Sequence, residues 1–458
     1  MQNDPGAIGG VPFMNLHPHR FLFRILIASG ICIAQLTSTV NAAGDETLQN
    51  PEETRRQLGQ QFAQANWKSL DEMGSHLVRV YEKDPNQFAA MRTFFNVLPN
   101  DESPATLAGY NAWATRFPNS YVALYARARC YVYLALAARG TEFIAKVSSD
   151  DLKKMNQYFA AVSMDLRRSL GISSRPIMSY FQLMRIARYY SKSKNAWTYY
   201  DASTRVDPDI LIIAEEYLYS LQPRWGGNFR ALHEFPEEAK SRGLAASKAA
   251  QLKLTARWLE GRDYVLYGDT KRAKVALTEV VNDPTNSEYK PYALLELAHI
   301  AQNDRDFEAA SLYLKRALKQ QPNDVRLLVE LAATARDANR PQEALAFYDQ
   351  AIAHAPNDMW ALSGRGWINH QILGNDTAAF PDMLKAARLG EALAQNVLGY
   401  FYWEGKAVAK SQTDALYWWT LSARQKNKTA EANLRMAKRR LGKDFDDVLK
   451  TAIRAKQP

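Results

Sequence analysis

The stretch LKRALKQQPNDVRLL, Leu314–Leu328, is answered further along by YDQAIAHAPNDMWAL, Tyr348–Leu362. Both contain Ala-x-x-x-x-Pro-Asn-Asp, and Pro322 and Pro356 lie 34 residues apart. A proline disfavours helical backbone in the residue before it, and an Asn or Asp just beyond is a preferred cap for a new helix. The motif is therefore a stop followed by a start. With frames opening at Pro291, Val325 and Met359, Leu294, Leu328 and Leu362 fall in register, as do Ala298, Ala332 and Gly366. Ala310, Ala344 and Ala378 also align, and Ala317 aligns with Ala351. Small residues where backbones cross, with large apolar ones beside them, describe two antiparallel helices packed closely.

This 34-residue unit resembles the tetratricopeptide repeat, and the resemblance covers Pro291 to about Met383. A weaker unit precedes it in LEGRDYVLYGDTKRAKVALTEVV, with Gly261, Tyr264, Ala273 and Leu277 in comparable positions. In the last unit Pro381 falls within the second helix and Lys385 stands where an alanine is expected, which predicts a bent or short helix there. The phase then changes. Ala386, Ala387, Gly390, Ala392, Ala394, Gln395, Leu398, Gly399, Gly405, Val408, Asp414, Ala415, Trp418 and Ala423 resemble one SEL-type repeat, a relative with a longer internal loop. Its aromatic cluster, Tyr400–Trp403 and Tyr417–Trp419, reads as packing between hairpins.

The rest of the chain is also helical in pattern. Among 458 residues there are only 22 Gly and 19 Pro, and no Asn-Gly or Asp-Gly hairpin lies between alternating strands. Leu70, Met73, Leu77 and Tyr81 line one helix face. The expected fold class is all-α, an α-solenoid of antiparallel hairpins preceded by an irregular helical domain. The expected divisions are 1–42, 43–250, 251–385 for the repeat array, 386–425 for the SEL-type unit, and 426–458 for basic capping helices. Within the irregular domain, Pro223-Arg224-Trp225-Gly226-Gly227 marks a sharp turn, with Trp225 read as its anchor. That motif, in its repeat context, resembles an uncharacterised helical domain of exported bacterial repeat proteins, which implies no chemistry.

The first 42 residues read as a secretory signal. Arg20 and Arg24 precede an apolar run that Ser29, Gly30 and Gln35 make too broken for a membrane span, and Val40-Asn41-Ala42 fits small-x-small cleavage. Met14 is read as the start. A lipid anchor on Cys32 is disfavoured because Ile31, not a small residue, precedes it. Removal of Cys32 leaves Cys130 as the one cysteine, so no internal disulfide is expected, and its apolar helical setting makes it a small hydrophobe. The expected location is periplasmic or secreted, in a Gram-negative envelope.

Catalytic patterns are thin. His76, His233, His299, His354 and His370 are scattered, and HEFPE at His233 lacks the second histidine of a zinc helix and has Pro236 where such a helix must continue. There is no Gly-x-Ser-x-Gly elbow and no phosphate-cradling loop. The reading is non-enzymatic, with no cofactor and no metal; the alternative is an envelope glycan- or peptide-processing enzyme with its site in the N-terminal domain. Stacked hairpins favour binding, along a concave groove lined by the first helix of each repeat. Helical spacing selects Tyr292, His299, Gln302, Arg326, Arg336, Trp360, Trp367 and His370 as groove residues for a peptide or protein partner, an acidic one if the arginines grip carboxylates. Of the formal charge of +10, much sits from Arg424 to the end, where 11 Lys or Arg face 4 Asp or Glu. That segment reads as a polar cap, with peripheral contact to an anionic envelope surface as its second role. Nucleic acid is not an expected partner.

Overall fold

The computed structural model describes residues 51–101, 103–140, 147–190, 193–285 and 288–454. The signal segment, its cleavage motif, Met14 and Cys32 lie outside the described residues. Those residues form helices and turns with no strand, as the periodicity requires. Among them, no helix is long and apolar enough to cross a membrane. The chain divides into two compact units between Asp263 and Tyr264, within a helix and later than the 250/251 division drawn from sequence.

The N-terminal unit contains α1 (Pro51–Ala63), α2 (Trp67–Lys83), α3 (Phe88–Val97), α4 (Pro104–Arg116), α5 (Tyr121–Arg139), α6 (Ser149–Ser169), α7 (Ile177–Tyr189), α8 (Ser193–Val206), α9 (Leu211–Ser220), α10 (Phe229–Ser241) and most of α11 (Ala246–Leu266). Serine caps start several of them: Ser103, Ser120 and Ser148 each accept a backbone N–H from the first turn that follows. On α2, Leu70, Leu77 and Tyr81 are buried as the stripe predicts, while Met73 is half-buried. Gly74 on the same face has no room for a side chain, since a Cβ there would lie 2.5 Å from Val122. Polar stitches tie distant helices, among them a two-pronged Arg127–Asp165 pair at 2.6 and 2.7 Å between α5 and α6. Cys130 is 1% exposed, and burial pushes its thiol up to about 11, so it stays a neutral apolar side chain. Against expectation, α10 runs through Pro236 without ending; the proline removes one N–H but its ring is buried in the core, where packing outweighs the lost bond.

The C-terminal unit stacks hairpins. Its helices are α12 (Thr270–Asn282), α13 (Lys290–Asn303), α14 (Phe307–Gln320), α15 (Val325–Asp337), α16 (Pro341–His354), α17 (Met359–Trp367), α18 (Asp376–Arg388), α19 (Ala392–Glu404), α20 (Gln412–Arg424), α21 (Lys428–Leu441) and α22 (Phe445–Arg454). Asp324 and Asp358, the last residues of the two Pro-Asn-Asp signals, cap α15 and α17. The in-register leucines and alanines are core: Leu294, Leu328 and Leu362 are at most 2% exposed, and Ala298, Ala332, Ala310, Ala344, Ala317 and Ala351 are 0% exposed. Each leucine so buried contributes about 2 kcal/mol of hydrophobic transfer.

Two expectations for the last tetratricopeptide-type unit fail together, for one reason. α17 is followed by a π turn, Ile368–Ile372, closed by Leu373 N–H to Ile368 C=O at 3.1 Å. A π turn holds one more residue than an α turn, so everything after it slips by one position. Ala378, expected in the core, is exposed, and Ala379 takes its place at 0%. Lys385 does not replace an alanine in the contact, because Ala386 occupies it, and Met383 fills the place of Leu314 and Tyr348. Nor is the second helix short: α18 spans 13 residues through Pro381, whose ring faces outward.

Gly399 allows α19 and α20 to touch, for a Cβ there would lie 2.5 Å from the Trp419 indole. Gly405 ends α19 in the left-handed conformation, φ 76°, and opens the longer loop. Trp403 and Trp419, 5.4 Å apart, are buried between hairpins with Ala430, Ala437 and Phe445 of the cap. Leu434 and Leu441 pack partly against that core, while Lys438, Arg439 and Arg440 stay exposed.

Candidate partner-binding face

The first helices of the hairpins, α13, α15, α17 and α19, lie side by side, and side chains join each to the next. Between α13 and α15, Gln302 Nε2 donates to Thr334 Oγ1 at 2.7 Å, and His299 Nε2 lies 3.7 Å from a Glu330 oxygen. The Arg326 guanidinium stands 5.9 Å from the centre of the Tyr292 ring. Between α15 and α17, Arg336 covers Trp367 at 5.8 Å. Between α17 and α19, Ser363 Oγ donates to Glu391 Oε2 at 2.9 Å. At the far end of α17, His370 packs edge-on to Phe401 at 4.9 Å and bonds Asp376, which Lys406 also reaches at 3.2 Å.

All eight residues selected by spacing thus belong to these helices or the π turn, but their surroundings differ. His299 and Gln302 are 7% and 4% exposed and bind the neighbouring repeat, so they join units together and do not line an open groove. Tyr292, Arg326, Arg336, Trp360, Trp367 and His370 are half-buried. Burial pushes the Tyr292 phenol up, which keeps it a neutral donor. Trp367 packs against the cores on both sides of α17, so it holds the stack as well as facing its edge.

The arginines are a clear correction to the charge argument. Arg326 Nη2 donates to Asp324 at 2.8 Å, and Arg336 Nε donates to Asp337 at 3.0 Å. Each therefore has a carboxylate of its own, one or two positions away in sequence. The sequence reading missed the partners on the next helix, Glu330, Thr334, Ser363 and Glu391. One signal for them was present: Glu296 and Glu330 recur at the 34-residue interval. Among the described residues no three His, Cys, Asp or Glu side chains are grouped to hold a metal ion.

In the N-terminal unit, Pro223–Trp225 forms a single tight turn and Gly226 follows at φ 89°. Gly227 is required, since a Cβ there would lie 2.1 Å from the Leu221 carbonyl oxygen. Trp225 meets Tyr189 edge to face at 5.6 Å. Arg224 points inward, 3.4 Å from the fully buried Asp263. Burial pulls the Arg224 guanidinium down to about 10 and pushes the Asp263 carboxyl up.

The geometry defines a helical repeat protein, and one segment of it matches a known repeat family. Residues 301–365 match the sequence model of the tetratricopeptide repeat. No curated protein matches the chain. Similar solved structures include a protective antigen of uropathogenic Escherichia coli strains displaying an SLR fold, 14% identical over 87% of this chain and 93% of that one, TM-score 0.38. A Sel1 repeat protein from Oxalobacter formigenes is 19% identical over 60% of this chain and 100% of that one, TM-score 0.34. Yeast Tom70 is 13% identical over 88% and 100%, TM-score 0.35. At these scores the likenesses carry no argument about function. The chain is an all-helical repeat protein in which residues 301–365 match the tetratricopeptide repeat.

Proposed function

We propose that this protein is a non-enzymatic scaffold of the bacterial cell envelope that captures a peptide or protein along the first-helix face of its repeats. One observation carries this reading: α13, α15, α17 and α19 form a continuous series whose joints leave aromatic side chains, Tyr292, Trp360, Trp367 and Tyr400, half-buried. Half-buried aromatic rings provide flat contact area at low entropic cost. Export is supported by the basic, apolar and small-residue order of residues 1–42. An acidic partner is a weaker reading, because it must compete with Asp324 and Asp337 for the two arginines.

The test uses residues whose loss spares the core. Trp360→Ala combined with Arg326→Ala, in the full chain, reduces partner capture from envelope extract at least about tenfold, the loss expected when two interface anchors are removed. The far-ultraviolet circular dichroism spectrum stays unchanged. Undiminished capture of the same partner by the folded variant contradicts the assignment of this face.

A further inference from the structure

The N-terminal unit holds an open cleft of about 490 Å³. Its lining comes from α2, from the turn between α4 and α5 with the first residues of α5, and from Ile172 and Ser173 between α6 and α7. Four charged side chains face it, Asp71, Arg79, Glu82 and Arg116, and they divide into two kinds.

The carboxylates are already occupied. Asp71 Oδ1 accepts from Trp113 Nε1 at 3.0 Å and from Ser120 Oγ at 2.6 Å. Glu82 Oε1 accepts from Ser173 Oγ at 2.6 Å and from the Ser174 N–H at 2.8 Å. Burial works to raise the Glu82 carboxyl, but these donors outweigh it and hold it below the ordinary glutamate range. The arginines are the opposite case. Arg79 and Arg116 are exposed, and neither forms an ion pair, hydrogen bond or ring contact with any described residue. The 19-residue α5 also begins at this cleft with no acidic residue in its first turn, so its positive end adds to the field. Beside these charges stand apolar walls from Phe117, Val122 and Ile172, the last 42% exposed.

Satisfied anions, unsatisfied cations and apolar walls in one cleft select for a particular chemistry. We propose that the cleft binds a small organic anion, with a carboxylate or phosphate head on Arg79 and Arg116 and an apolar body against Phe117 and Ile172. This site is separate from the repeat face and does not depend on the scaffold reading.

Isothermal titration of the full chain with phenyl phosphate, N-acetylphenylalanine and the uncharged N-acetylphenylalanine amide tests it. Saturable one-site binding of either anion, without binding of the amide, is the expected result. Phenyl phosphate alone assigns a phosphate head, and N-acetylphenylalanine alone a carboxylate head. Arg79→Glu with Arg116→Glu weakens that binding at least about tenfold with an unchanged dichroism spectrum, and raised salt weakens it in the wild type. If the double reversal unfolds, Arg79→Gln with Arg116→Gln is read in the same way. No saturable binding of either anion, equal binding of the amide, or equal binding by wild type and a folded double variant overturns the proposal.

Discussion

The hairpin α15–α16 and the hairpin α17–α18 follow one pattern, yet only the second contains a π turn. In the first, Ala344, Tyr348 and Ala351 are the contacts of the second helix; in the second, the same contacts are Ala379, Met383 and Ala386, each one position later than the 34-residue spacing requires. One residue on an α-helix is a rotation of about 100°, enough to move an alanine from core to solvent. The π turn absorbs the extra residue at the end of α17, where Gln371, Ile372 and Leu373 are exposed, before the packing face resumes. A repeat array thus accepts an insertion at its loops and not along its contact faces.

Deleting single residues gives the largest contrast between the two hairpins. Removal of Asp337, the last residue of α15, shortens the connection to α16 and rotates α16 against its contacts without any spare residue to release, and is expected to cost about 4 kcal/mol or more, or to abolish folding. Removal of Gln371 converts the π turn to an α turn and is expected to cost less than about 2 kcal/mol. Urea unfolding followed by circular dichroism, with hydrogen exchange across 376–388, measures both. Equal costs break the comparison.

Side-chain exchange at adjacent positions sharpens it. Ala386→Lys places a charge at a fully buried contact and is expected to destabilise by about 3 kcal/mol or more. Gly364→Val is expected to cost about 2 kcal/mol or more, since a Cβ there would lie 2.2 Å from the buried Tyr348 ring. Lys385→Ala is the small effect. It loses one exposed bond, Nζ to the Pro356 carbonyl at 2.6 Å, and is expected to change stability by no more than about 0.5 kcal/mol. A sequence-frame register with no slip predicts the reverse order for Lys385 and Ala386, which the same urea midpoints distinguish.

The all-helical class and the positions of the leucine and alanine contacts up to Leu362 are legible in the sequence because contact chemistry recurs at a fixed interval. The slip after Trp367 is not, because the residues of the π turn, Ile-Asn-His-Gln-Ile, are unremarkable helix formers and their extra residue shows only as a displaced alanine. Pro236 and Pro381 misled for a related reason: propensity speaks for an isolated helix, and both helices are held by their neighbours. At the candidate face, spacing placed the eight residues on the first-helix series and its π turn but did not give the exposure of each. His299 and Gln302 look like surface polar groups in sequence, and they turn inward because Glu330 and Thr334 of the next repeat supply partners that no single repeat contains. The pairing of Arg336 with Asp337 is between sequence neighbours, yet only side-chain geometry tells an occupied guanidinium from an open one.

The most direct measurement of partner capture by the first-helix face is photocrosslinking in the native compartment. A benzoylphenylalanine replaces Trp360, in the first turn of α17, or Leu312, 59% exposed on the second helix α14. The account predicts a discrete crosslinked species at position 360 and none at position 312. Crosslinking of the same partner at 312 with equal or greater yield, or none at 360, contradicts it.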